Sequence, residues 1–231
     1  MIARVNGVDL FYEVVGSGEP LIMVHGNGED HTIFEVASEK LKNYFTCYLI
    51  DSRDHGKSSK VQGLSYQSMA DDIKSFILQL GYDKVTYYGF SDGGIIGLLV
   101  ASQTDLVKRL IISGANTQPD GVKKGLILLM KIMYFFTKDQ KIKMMLDEPH
   151  ISDGELARIA CDTTVIAGEK DVIRREHTEH IAASINGSKM MILPGEGHGS
   201  YIVKNTKIAD IILDICELPM LKSTGFPLRR Q

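Results

Sequence analysis

No run of about 18 consecutive apolar residues occurs in the 231-residue chain, so no membrane-spanning helix is expected. The N-terminus, Met-Ile-Ala-Arg-Val-Asn-Gly-Val-Asp, lacks a basic stretch followed by an apolar one, so no secretory signal is read there. Cysteine is scarce. Cys47, Cys161 and Cys216 are far apart, which argues against a disulfide framework and fits small buried hydrophobes in a reducing compartment. Positive charge is not in excess: the net charge is −3, so no polyanionic partner is implied. No cluster of His, Cys, Asp and Glu has metal-ligand spacing, and no glycine-rich loop carries a phosphate-binding lysine. Tryptophan, internal repeats and low-complexity segments are all absent. These absences point to a cytoplasmic protein without metal, cofactor, nucleic-acid partner or membrane partner. They say nothing of its oligomeric state.

What is present suits one core with at most a small insertion: 44% of residues are hydrophobic and 24% charged. Ile2–Val5 and Val8–Val14 alternate around Asn6-Gly7, a two-residue hairpin signal. A continuous apolar run at 20–24 and a second run at 46–50 read as strands buried on both faces, a β-prone run covers 84–88, and further strands are read at 106–113, 163–167 and 190–193. Helix-period segments separate them, at about 32–43, from Ser68 as a cap to a stop at Gly81, from Ile95, near 176–184, and from Tyr201 to Ile215. Eight strands alternating with helices imply a mostly parallel sheet covered on both faces, with an antiparallel hairpin at one edge. Between 117 and 160 the strands pause, and the segment reads as a helical insertion splitting a core of 1–116 and 161–231. Residues from Pro219 onward read as a mobile tail.

Gly89-Phe90-Ser91-Asp92-Gly93 stands between a strand and a helix. G-x-S-x-G at such a place is a tight, strained turn that lifts a serine hydroxyl over a helix N-terminus. The pattern alone arises by chance in roughly one chain in ten of this length, so its partners decide. A serine hydroxyl needs a base, and the base an orienting acid. Among seven histidines, His198 sits in a glycine-rich loop after the last strand. Asp171 closes the loop after the preceding strand; it also suits a helix cap, and Glu169 is its rival.

The chain order Ser91, Asp171, His198, with His25-Gly26, the 51–58 loop and Gly-Glu-Gly-His, resembles the capped α/β-hydrolases from about Val5 to Ile215. Gly-Phe-Ser-Asp-Gly-Gly is most similar to the biphenyl-hydrolase-like and valacyclovir-hydrolase-like esterases. The chain departs from the pattern in its short cap and in Asp162-Thr163-Thr164, where a proline commonly opens the strand. The resemblance implies an α/β-hydrolase fold and a serine hydrolase of small carboxylic esters working through an acyl-enzyme. Thioester or carbon–carbon cleavage by the same three residues, and a non-catalytic ligand-binding protein on the same fold, are the alternatives. An oxyanion hole is expected from the backbone N–H groups of Asn27 and Asp92, with His25 and Arg53 holding the rim loops. The Asp92 side chain either favours the helix dipole or pairs with a cationic substrate group. Leu126, Ile127, Leu129, Met130, Met133, Tyr134 and Phe135 either face the rim as an acyl pocket or bury the insertion's own helices; Met130, Met133 and Tyr134 are the leading substrate contacts.

Overall fold

The computed structural model describes residues 1–219, so the tail expected from Pro219 lies, apart from Pro219 itself, outside the described residues. Strands β1 (Ile2–Val5) and β2 (Val8–Val15) form the expected hairpin. Asn6 and Gly7 take φ 46° and 79°, the left-handed pair that a two-residue turn needs to match strand twist. The other strands are β3 (Glu19–Val24), β4 (Phe45–Ile50), β5 (Val85–Phe90), β6 (Val107–Ser113), β7 (Asp162–Gly168) and β8 (Lys189–Leu193). They form one eight-stranded sheet in the order β1-β2-β4-β3-β5-β6-β7-β8. β2 runs antiparallel to β1 and β4, and every other pairing is parallel.

The central strands β3, β4 and β5 are buried on both faces because helices cover both, whereas the edge strand β8 leaves Met190 exposed. Along β5, Val85 and Tyr87 enter one core cluster and Tyr88 and Phe90 the other. The first cluster packs under α2 (Tyr66–Leu80), α3 (Asp92–Gln103) and α7 (Arg175–Ser184); the second packs under α1 (Glu35–Leu41) and α8 (Lys207–Ile215). β3 leads to β4 on one side, and the chain then returns to lay β5 on the other side of β3. The loops after β3 and β5 therefore diverge above the sheet, opening a crevice at the strands' carboxyl ends.

Three boundaries differ from the sequence expectation. α2 is capped by Ser65, whose Oγ accepts the Ser68 N–H at 3.2 Å, so Ser68 lies inside the helix. The first helix opens as a 3-10 turn over His31–Phe34, with Asp30 accepting the Thr32 N–H, before α1. The last helix starts at Lys207: Lys204 takes φ 50°, and the Asn205 side chain accepts the Lys207 N–H at 2.9 Å. Tyr201 and Ile202 are buried from a turn.

Between β6 and β7 lie α4 (Lys124–Thr137), α5 (Gln140–Asp147) and the short α6 (Asp153–Leu156). Ser152 and Glu155 form a capping box at α6, while Leu156 and Ile159 join the first core cluster. α6 thus packs on the sheet side, and α4 and α5 stand over the strand ends. No helix among the described residues is long and apolar enough to cross a membrane.

Candidate active site

Ser91 joins β5 to α3 with φ 53° and ψ −115°, a conformation that a non-glycine residue adopts only under constraint. The neighbouring glycines supply it. A Cβ on Gly89 would fall 2.2 Å from the Gly93 carbonyl oxygen, and one on Gly93 would fall 2.0 Å from that of Val24. The Ser91 N–H is anchored on the Ser113 carbonyl at 2.8 Å, which pins the turn to β6.

Three side chains from three loops meet there. His198 Nε2 lies 3.1 Å from Ser91 Oγ, and its Nδ1 lies 2.6 Å from Asp171 Oδ1. Asp171 also accepts N–H groups from Ile173 at 2.9 Å and Gly168 at 3.3 Å. Burial by itself would raise its pKa, but the His198 hydrogen bond and charge and the two N–H donors overcome this and hold the carboxyl below its ordinary value. Glu169 points elsewhere: it is exposed and accepts the Gly195 N–H at 2.8 Å.

His25 and Arg53 tie loops together. The Ser52 N–H donates to His25 Nε2 at 3.1 Å, which leaves Nδ1 protonated to donate to the Gly26 carbonyl at 2.7 Å. Burial and the nearby His55 ring push His25 down to about 4, so it is neutral at pH 7. Arg53 makes a two-pronged pair with Asp72 of α2, both contacts at 2.6 Å. Asp30, His31 and Asp51 also come together, a grouping no sequence spacing suggested. Their own hydrogen bonds account for it: Asp51 accepts from the His31 backbone and ring and from the Lys57 N–H, and Asp30 caps the 3-10 turn.

A cavity of about 440 Å³ opens over Ser91. Gly26, Asn27 and Asp92 form its floor. The Asp92 N–H starts α3, where the first donors have no intrahelical acceptor. The Asn27 side chain donates to Asp92 Oδ2 at 2.8 Å and so ties the two expected oxyanion donors to each other. Asp92 Oδ1 accepts from Tyr66 Oη at 2.8 Å. Burial raises the Asp92 carboxyl to about 6 against these two donors and the His198 charge. For this group the sign opposes that of Asp171. Between 3.8 and about 6 the folded chain holds a proton that the unfolded chain has released, so stability contributed here falls as pH rises. Denaturant midpoints measured across that window should decline more steeply for the wild type than for Asp92→Asn; parallel curves would contradict the burial argument.

The upper wall comes from the insertion: Leu126, Met130 and Met133 of α4, with Ile142 and Met145 of α5. Three expectations are corrected here. Tyr134 is not in the wall; it lies a step round the helix, under Lys138 Nζ at 5.2 Å. Leu129 and Phe135 turn outward and are exposed. Two acidic wall residues were not expected. Glu29 accepts the Gly26 N–H at 3.0 Å, and burial raises its pKa. Glu148 accepts the Tyr66 N–H at the start of α2 at 3.0 Å. Glu29 was within reach of sequence reasoning, since it follows the rim motif His25-Gly26; nothing near Glu148 marks it. Among the described residues, no lysine or arginine lines the cavity.

A family model described as the alpha/beta hydrolase fold matches residues 19–137. The AB hydrolase superfamily protein YisY of Bacillus subtilis is 27% identical over 89% of this chain and 94% of its own length. The human serine hydrolase BPHL is 27% identical over 86% of this chain and 79% of its own. The crystal structure of a bromoperoxidase from Bacillus anthracis superposes with a TM-score of 0.81 at 18% identity, covering 94% of this chain and 99% of that one.

Proposed function

This chain belongs to the α/β-hydrolase family, and from that premise we propose that it is a serine hydrolase that cleaves a small carboxylic ester through an acyl-enzyme. The observation that carries the reading is the unbroken line Ser91–His198–Asp171 on the strained elbow, beneath a largely apolar cavity. Ser91 Oγ attacks the ester carbonyl and passes its proton to His198 Nε2. Asp171 keeps Nδ1 protonated and offsets the imidazolium charge. The N–H groups of Asn27 and Asp92 meet the developing oxyanion. His198 then gives its proton to the leaving alcohol, and water repeats the sequence on the acyl group. A cavity of this volume suits a small acyl chain, with Met130, Met133 and Met145 as an adaptable wall. The residues 117–160 act as the cap. A series of nitrophenyl esters of increasing acyl length tests the reading: turnover is expected to peak at short chains, and no hydrolysis across the series would refute it.

The wall chemistry supports a narrower substrate class. Asp92, Glu29 and Glu148 are its acidic members and no lysine or arginine among the described residues faces them, so an anionic substrate meets repulsion and an ammonium group meets partners. The Asp92 side chain makes no helix cap; its oxygens accept from Asn27 and Tyr66 and keep lone pairs for a further donor. An α-amino ester is therefore expected to show a higher kcat/KM than its neutral isostere. The preference should grow as pH rises through about 6, where Asp92 ionises. Asp92→Asn should remove it, a loss of roughly 1.5–3 kcal/mol for a charge-assisted hydrogen bond. The neutral ester is the internal control, because displacement of Asn27 would slow both substrates together. Equal wild-type rates on the two esters would dispose of the ammonium site.

A further inference from the structure

Helix α4 is apolar on both sides, yet among the described residues only one side has anything to pack against. Leu126, Met130 and Met133 face the cavity. Leu128, Ile132, Phe135 and Phe136 recur at helical spacing on the opposite side, and they are 61%, 49%, 68% and 77% exposed. A folded chain rarely leaves so many large apolar side chains contiguous and in water. Lys124 and Lys131 lie two turns apart along one flank of this face, and Lys138, the left-handed cap that ends the helix, extends the basic edge. Lys138 Nζ also sits over the Phe135 ring at 5.1 Å.

The charge around α4 is reversed relative to the whole. From Lys123 to Lys143 there are six lysines and one acidic residue, Asp139, in a chain of net charge −3. Lys141 and Lys143 are paired with Asp54 and Asp147. Among the described residues, Lys123, Lys124, Lys131 and Lys138 have no carboxylate within ion-pair distance.

We propose that the outer face of α4 docks peripherally on an anionic phospholipid surface, with Leu128, Ile132, Phe135 and Phe136 in the acyl–headgroup boundary and the lysine row against the headgroups. A helix lying in the interface needs an apolar face and a basic flank, and α4 has both. Charge selects this occupant over a second copy of the chain. Two copies meeting through this face would bring unpaired lysine rows together, whereas anionic headgroups neutralise them. Docking places the membrane one helix thickness from the cavity that α4 roofs. The proposal does not depend on the hydrolase reading, because the lipid contacts lie on the opposite side of α4 from Ser91.

Vesicle flotation tests it with the full chain. Phosphatidylcholine vesicles containing phosphatidylglycerol should carry the protein at low ionic strength and release it as salt rises. Vesicles of phosphatidylcholine alone should carry much less. Replacing Lys124, Lys131 and Lys138 with Gln should weaken binding roughly fivefold per lysine. The pair Phe135→Ser and Phe136→Ser should weaken it at least about tenfold. Both variants alter exposed side chains, so circular dichroism should match the wild type, and ester hydrolysis in solution should persist. The Ser91→Ala protein should bind as the wild type does, which separates docking from turnover. Absence of binding to the anionic vesicles, or equal binding by the variants, overturns the proposal. So does a dimer in sedimentation that the phenylalanine substitutions dissociate, which would assign the face to a second copy.

Discussion

Ser91→Ala is expected to abolish labelling by a fluorophosphonate and to lower kcat on a short nitrophenyl ester by about 10⁶-fold, the scale on which loss of a serine nucleophile acts elsewhere. The size follows from the absence of a substitute. Among the described residues lining the cavity, the one other hydroxyl is that of Tyr66, which donates to Asp92 Oδ1 at 2.8 Å, and none carries a thiol. The fold should survive. Alanine meets the same strain as serine at φ 53°, and the one side-chain hydrogen bond lost is the 3.1 Å contact with His198. Melting temperature and mass-spectrometric mapping of the label provide the two readouts. Intact folding with the label gone is the expected pair, and a label found on any other serine removes Ser91 from its role.

The fold was legible because the central strands β3, β4 and β5 are buried on both faces and appear as apolar runs that end in glycine-bearing or polar loops. The elbow was legible because its steric demand falls on named positions: the carbonyls of Gly93 and Val24 leave no room for a Cβ at Gly89 and Gly93. Local chemistry was less decisive where two residues could play one part. Ser65 and Ser68 are both able caps, and the choice rests on Tyr66 being buried at the head of the helix beside Glu148, a contact between residues distant in sequence. Tyr201 and Ile202 match a helical pattern, yet they are buried from a turn because Asn205 and Lys204 start the helix later. On α4, apolar residues occupy the whole circumference, so periodicity gave no means to separate the wall residues Met130 and Met133 from the outward Leu129 and Phe135. The acidic lining of the cavity was the least visible feature. Glu29, Asp92 and Glu148 are brought together by the β3 loop, the elbow and the end of α5, and no spacing records that meeting.

Asp171→Asn is expected to cost about 10⁴-fold in kcat, as the analogous change does in another serine hydrolase, and to leave KM little changed. The geometry gives the reason in two steps. Asp171 Oδ1 accepts both the His198 Nδ1–H at 2.6 Å and the Ile173 N–H at 2.9 Å, while Oδ2 faces the Gly168 N–H. An asparagine that keeps its oxygen toward His198 places its NH₂ against the Gly168 N–H, and it brings no negative charge to the imidazolium. The flipped asparagine presents NH₂ to His198 Nδ1, which must then accept; the ring proton moves to Nε2, and the base can no longer take the proton of Ser91. Either arrangement removes an interaction that strengthens as His198 becomes charged, so the loss belongs in kcat. Stability shifts as well. The folded carboxyl of Asp171 titrates below its ordinary value, so it contributes stability at neutral pH that is lost as pH falls through that range, and the asparagine variant should lack that dependence. Glu169→Gln is the control. Its carboxylate is exposed and, among the described residues, engages only the Gly195 N–H, so kcat should stay close to that of the wild type. If Glu169→Gln is the damaging change and Asp171→Asn the mild one, the orienting acid is Glu169, and the loop after β7 must rearrange before substrate is turned over.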